Sequence, residues 1–204
     1  YSDATSGGVP VDLSLRDVTV RTARIRTDFG LNARTKLFGE LSGNEIDYEL
    51  TSTPPRDSKG YAALVGVKHE LTALVDVEAG VGYIHQNFDN PAVKSAGEIN
   101  YRLAASWTPS PQWRLTASAN RLVDASRSQE SPAIITTEFK LTAQRAIGDR
   151  LLVGAEAGYM DENFKATPRS DKRFFVSGST RYRLTDKVGV IFSAGYRDQD
   201  GGAF

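Results

Sequence analysis

Two histidines, His69 and His85, are the only imidazoles in the 204 residues, so a search for acid–base or nucleophilic chemistry starts with them. Triad-type hydrolysis needs a Ser, a His and an orienting Asp or Asn within hydrogen-bond reach of one another. His85 follows Tyr83 in the apolar phase of its segment and His69 stands just before a short turn. Neither setting is that of a general base, and no catalytic residue is expected. The acids Asp89, Asp161, Glu162 and Asp171 fall in segments that read as loops, but no spacing among them matches a calcium loop. Gly-Val-Gly-Tyr at 80–83 and Ser-Gly-Gly-Val at 6–9 are too short and wrongly placed to cradle a phosphate. Cysteine is absent, which removes disulfides and thiolate metal sites. The expectation is a protein without metal or cofactor that acts through hydration and charge.

What recurs is architectural. "EAGVGYIHQNFDN" (78–90) returns as "AEAGYMDENFKAT" (155–167) and "FSAGYRDQDGG" (192–202), with Tyr83, Tyr159 and Tyr196 spaced close to multiples of about 38 residues. Between these points the chain alternates with period two, the mark of strands with unlike faces. Val75, Val77, Ala79, Val81 and Tyr83 alternate with Asp76, Glu78, Gly80 and Gly82; Leu151, Val153, Ala155, Ala157 and Tyr159 alternate with Gly154, Glu156 and Gly158. About ten such segments are predicted. The first two, near 15–29 and 34–48, are less regular, and the phase shift around Arg24 predicts a bulge there.

Each regular segment stays in phase for roughly 9–13 residues, near the ~9–11 that cross a bilayer at a tilt. Short connections such as "GLNART", "TPSPQW" and "LTDKV" alternate with long polar ones, and Tyr or Trp closes the apolar face at both ends. Tyr83, Tyr159 and Tyr196 form one expected aromatic girdle; Trp107, Trp113 and Tyr182 form the other. The opposite face carries Asp76, Glu78, Arg102, Arg114, Glu138, Lys140, Glu156, Arg181, Arg183 and Arg197, which would be costly in a packed core and are at ease lining water. The fold class expected is an all-β, transmembrane, antiparallel up-and-down barrel. Residues 1–204 form one domain, with short turns in the periplasm and long loops and both ends outside. Closure with periplasmic termini then requires further strands at each end, for a barrel of 12 or more and plausibly 16–18. Phe204 reads as coincidental, not as a terminal strand residue.

The balance of 25 Lys and Arg against 25 Asp and Glu makes no case for nucleic acid. No apolar run approaches the ~18 residues of a spanning helix.

The segments "ARTKLFGELSGNEIDYE", "GVKHELTALVDVEAGVGYIHQNFDNP", "RLAASWTPSPQWRLTASANR" and "STRYRLTDKVGVIFSAGYRDQDGG" resemble the putative β-barrel porins (type 2) often associated with exopolysaccharide or capsule loci. The shared features are the Trp107–Thr108–Pro109 turn and Gly-Tyr followed by an acidic-aromatic segment, over about residues 20–200. The resemblance implies the bacterial outer membrane, contact with its lipid and lipopolysaccharide, and a polysaccharide-export or envelope protein as partner. Two roles stay open. One is a porin or conduit for polar solutes or exported polysaccharide; the other is a barrel that holds a partner or plug without conducting. The mixed lumen charges fit either a transverse field or structural ion pairs.

Overall fold

The structure is a computed structural model that describes residues 4–6, 9–11, 17–48, 55, 57–125, 133–164 and 169–201. Phe204, the two glycines of Ser-Gly-Gly-Val and much of the long connections lie outside these residues. A short hairpin, β1 (Ala4–Ser6) and β2 (Val9–Val11), forms its own sheet. The remaining ten strands form one antiparallel meander in strict sequence order: β3 (Val18–Gly30), β4 (Thr35–Tyr48), β5 (Ser58–Thr72), β6 (Val75–Phe88), β7 (Ala96–Ser110), β8 (Trp113–Ala125), β9 (Ala133–Ile147), β10 (Leu151–Phe164), β11 (Ser170–Arg183) and β12 (Gly189–Gly201). The sheet is not closed; β3 and β12 are its edges. It curls enough that residues of both edge strands line the same cavity.

Turn chemistry sets the register at the short-turn end. Asn32 accepts from the Arg34 amide at 2.9 Å and Thr185 from the Val188 amide at 3.1 Å. Gly148 takes φ 59° in the β9–β10 turn, a conformation that costs an L side chain about 1–2 kcal/mol. Register shifts occur near the short turns, between Glu70 and Thr72 and between Trp107 and Ser110. None occurs at Arg24: β3 and β4 pair without interruption from Val18↔Tyr48 to Gly30↔Lys36. The bulge predicted there is absent.

The cause of that misreading is a change of solvent along the strand. In the lower part of the sheet the convex face is apolar and exposed, with Val65, Val81, Leu103, Leu141, Val176 and Phe192 among its residues, and the concave face is polar. Past the upper tyrosines the pattern inverts. Ile46, Ile84 and Phe164 turn to the concave side and are buried, and His85, Asn87, Asp161 and Asn163 occupy the convex side. Val18 and Val20 follow the same rule, so apolar residues change face in β3 without any backbone slip. The strands therefore run further than expected. β6 continues past Tyr83 to Phe88, β10 past Tyr159 to Phe164, and β12 past Tyr196 to Gly201.

One packing device stands out on the concave face. Gly66 and Gly80 are directly opposite each other, and the Phe38 ring lies over them, only 4% exposed. A Cβ at Gly80 would meet Phe38 Cζ at 2.8 Å and Leu64 Cδ2 at 3.0 Å. Gly80→Val should therefore lower the unfolding free energy by about 1–3 kcal/mol through overpacking. Gly39→Ala, with nothing within 4 Å of its added carbon, should change it by less than about 0.5 kcal/mol. Urea unfolding of the full-length protein in lipid vesicles measures both.

Candidate functional site

The ladder decides which side chains can meet, because directly paired residues share a face. On the concave side Arg26 stands opposite Glu40 and Glu40 opposite Leu64. Leu64 stands opposite Gly82, and Gly80 opposite Arg102. Neither glycine puts a side chain above β6, and Phe38 and Leu64 pack close over Gly80. Arg102 on β7 reaches across β6 and β5 to Glu40 on β4, donating to Oε2 at 2.7 Å and to Oε1 at 2.8 Å. Glu40 is 7% exposed and has two further cations near it, Arg24 Nε at 3.4 Å and Arg26 at 3.9 Å. Arg26 donates to both oxygens of Glu78, at 3.0 and 3.1 Å, and its guanidinium sits 4.0 Å from the centre of the Phe38 ring. Two-point guanidinium–carboxylate bonds of this kind fix geometry as well as charge. The result is a clasp joining β3, β4, β6 and β7.

A second polar group sits at the long-loop end. Arg173 donates to Glu162 at 2.9 Å. Arg169 donates to both oxygens of Asp171, at 2.8 and 2.6 Å, and lies over the Phe164 ring. Gln199 of β12 also donates to Asp171, at 3.1 Å. The expectation that Asp161, Glu162 and Asp171 are loop acids is thereby corrected: they lie within β10 and β11, and Glu162 and Asp171 are buried. Between β7 and β8 the ladder ends at Arg102↔Asn120. Arg121 turns its guanidinium into the gap above, donating to the Ile99 carbonyl at 3.2 Å and meeting Glu98 at 3.1 Å. The clasp and the long-loop-end groups border one cavity of 1130 Å³ on the concave face.

Register places all ten residues predicted for the charged face on the concave side. It brings Glu78 and Arg102 into the clasp and Arg197 to the cavity, and sets Lys140 at 3.5 Å from Glu138. Asp76 and Glu156 lie in one lower row that passes through Ser106, Thr116 and Thr142. Arg114 and Arg181 occupy rows nearer the turns, and Arg183 donates to the Asp149 carbonyl at 2.5 Å. Tyr83, Tyr159 and Tyr196 are exposed on the convex face toward the long-loop end. Trp107, Trp113 and Tyr182 are exposed on the same face beside the short turns. His85 lies between Tyr61 and Tyr83, with ring centroids at 5.5 and 6.3 Å, and bonds Asn87 at 3.0 Å. His69 bonds Thr35 at 2.9 Å. No group of three metal-ligating side chains occurs among the described residues.

Glu40, Arg24, Arg26, Arg169 and Arg173 are functional candidates that sequence reading missed. The signal was present in the period-two row Arg24, Arg26, Asp28 of β3 and in Phe38, Glu40 of β4. The supposed bulge obscured which face they shared.

A curled antiparallel meander, charged inside and apolar outside, defines a segment of β-barrel wall. The family model described as Putative beta-barrel porin 2 matches residues 1–203, and the chain belongs to that family. Among solved structures it is similar to the FrpB iron transporter of Neisseria meningitidis. Against the F3-3 variant the identity is 13% and the TM-score 0.66, covering 90% of this chain and 36% of that one. Against the F5-1 variant in its apoprotein form the identity is 13% and the TM-score 0.67, covering 90% and 37%. It is also similar to the ferric yersiniabactin uptake receptor FyuA of Yersinia pestis, with 12% identity and a TM-score of 0.60 over 91% of this chain and 36% of that one. At such identities the likeness shows the fold alone. The chain spans little more than a third of the length of these proteins. No curated protein matches it. The family is one of β-barrel porins, and the neighbours support the barrel fold.

Because Glu40 gathers three guanidinium groups, its removal should cost more than removal of any one of them. Glu40→Gln is expected to destabilise the full-length protein by about 1–3 kcal/mol, as for a charged partner lost from a buried network. Arg102→Gln should cost less, and the Glu40→Gln/Arg102→Gln pair should be non-additive by at least about 0.5 kcal/mol in a double-mutant cycle. Additive losses would show that the clasp contributes no coupling.

Proposed function

We propose that this chain forms part of the wall of an outer-membrane channel whose concave charged face lines a water-filled path for polar solutes, with export of a surface polysaccharide as its role. The observation that carries this reading is the division of one sheet between two solvents. Large apolar side chains stand exposed over the whole lower convex face, where water would be a poor solvent for them. Charged pairs occupy the other face, where lipid would be a worse one. In this reading Tyr83, Tyr159 and Tyr196 mark the outer interface and Trp107, Trp113 and Tyr182 the periplasmic one. The inversion above the upper tyrosines is then the point where the wall leaves the bilayer: water replaces lipid outside, and a small apolar cluster packs inside. Lipid offers no partner for the free edges of β3 and β12, so both edges are paired in the working barrel. The clasp and the Arg114, Glu138, Lys140, Glu156 and Arg181 rows act on solutes by hydration and field.

A barrel that conducts nothing and holds a partner protein is the competing role, and electrical recording separates the two. Full-length protein in planar bilayers should give discrete conductance steps in KCl; a folded, partner-free barrel without them would overturn the channel reading. The assignment of faces has its own check. Leu141→Arg, placed at the middle of the convex band, should destabilise the protein in vesicles by about 2–4 kcal/mol. Thr142→Arg, one residue on and facing inward, should cost under about 1 kcal/mol.

A further inference from the structure

We infer that the cavity at the long-loop end binds anionic, hydroxyl-bearing solutes, such as acidic oligosaccharides, and so makes the proposed channel selective for them. The inference rests on the channel reading for its role and on the cavity's own chemistry for its specificity. Six arginines line the cavity: Arg24, Arg102, Arg121, Arg169, Arg173 and Arg197. Among the described residues only three carboxylates do, Glu40, Glu162 and Asp171, in a chain whose overall charge is zero. The carboxylates are already engaged. Glu40 is held at both oxygens by Arg102, Asp171 at both by Arg169, and Glu162 by Arg173. Arg121 is held by Glu98.

Among the described residues two cations remain without a dedicated partner. Arg24, whose side chain is 60% exposed, has only a 3.4 Å contact to the Glu40 already bound by Arg102. Arg197 is exposed and pairs with no carboxylate among the described residues. They belong to β3 and β12, the two edge strands, so each flank of the cavity carries a guanidinium with no carboxylate of its own among the described residues. Their planar forks suit the carboxylates of uronic acids or the oxygens of phosphate groups. Between them the cavity is lined by Asn44, Asn100, Gln86 and Gln199, whose amides can both donate to and accept from sugar hydroxyls. The paired arginines fix the walls while the unpaired ones attract solute. This placement favours anions at the mouth, where focusing of the field acts on capture.

The test uses full-length protein in detergent with three labelled probes of similar size: oligogalacturonate, linear polyphosphate and uncharged maltohexaose, followed by fluorescence anisotropy. Both anions should bind at least about tenfold more tightly than maltohexaose, with affinity falling as KCl rises. Weaker binding of polyphosphate than of oligogalacturonate would assign the site to carboxylated sugars; the reverse would assign it to phosphate-bearing ones. Arg24→Gln combined with Arg197→Gln should lose about tenfold or more of the anion affinity. Lys172→Gln, which removes the same charge from the convex face, should leave it unchanged. Equal affinity for maltohexaose, absence of salt dependence in the unaltered protein, or indifference to the arginine pair would each overturn the inference. Conductance measured on the same preparation keeps the two readings apart. Anion binding without conductance supports the site and overturns the channel; conductance with no preference for anions does the opposite.

Discussion

An antiparallel ladder ties the direction of every side chain to the parity of its position, and everything else in this protein depends on that coupling. Across ten strands the pairs are nearly continuous, so a single choice of face in β3 propagates to β12. Arg26 faces the same way as Glu40, Arg102 and Arg197 because the register leaves no alternative. A slip of one residue in any strand would send its charges to the apolar side. Two features resist such slips. Turn hydrogen bonds set the register at the short-turn end, and guanidinium–carboxylate pairs tie it together between strands that are not neighbours.

The clasp around Glu40 shows how polar groups can help hold a sheet whose outer face is apolar and exposed. Arg102 passes over two intervening strands because Gly80 and Gly82 present no side chain to block it, and Gly66 with Gly80 gives Phe38 a floor to lie on. Glycine weakens a strand when considered alone. Here the lost side chains make room for an aromatic ring and for charge pairs linking β3, β4, β6 and β7. The same pairs that hold the wall also spend most of the acidic charge near the cavity, which is why its remaining arginines are left to face solvent.

Much of the fold was legible in residue order. Alternation in 75–83, 151–159 and 188–196 marked the strands β6, β10 and β12 of the meander. The strand ends were not legible. Ile84 and Phe164 turn inward after the tyrosines while His85 and Asp161 turn outward, so a reader following one apolar phase meets what looks like a loop. In β3 the same inversion at Val18 and Val20 looked like a bulge. Within the site, the period of Asp76, Glu78, Arg102 and Arg197 was visible, but Glu40 was not. Its importance comes from a partner distant along the chain, Arg102 62 positions on, and from Arg26 of the neighbouring strand, whose guanidinium also holds Glu78.

Residue order by itself determined that this chain makes strands with one apolar and one charged face, because a two-residue period of hydrophobicity is a local property of an extended chain. It also determined where the tight turns fall, since Asn, Asp, Gly and Pro act on their own backbone. Tertiary structure alone decided which charges neutralise each other and which remain free. That outcome depends on distances across β4 to β7 and between the edge strands, set by curvature and by the space the glycines leave, and no local pattern encodes it.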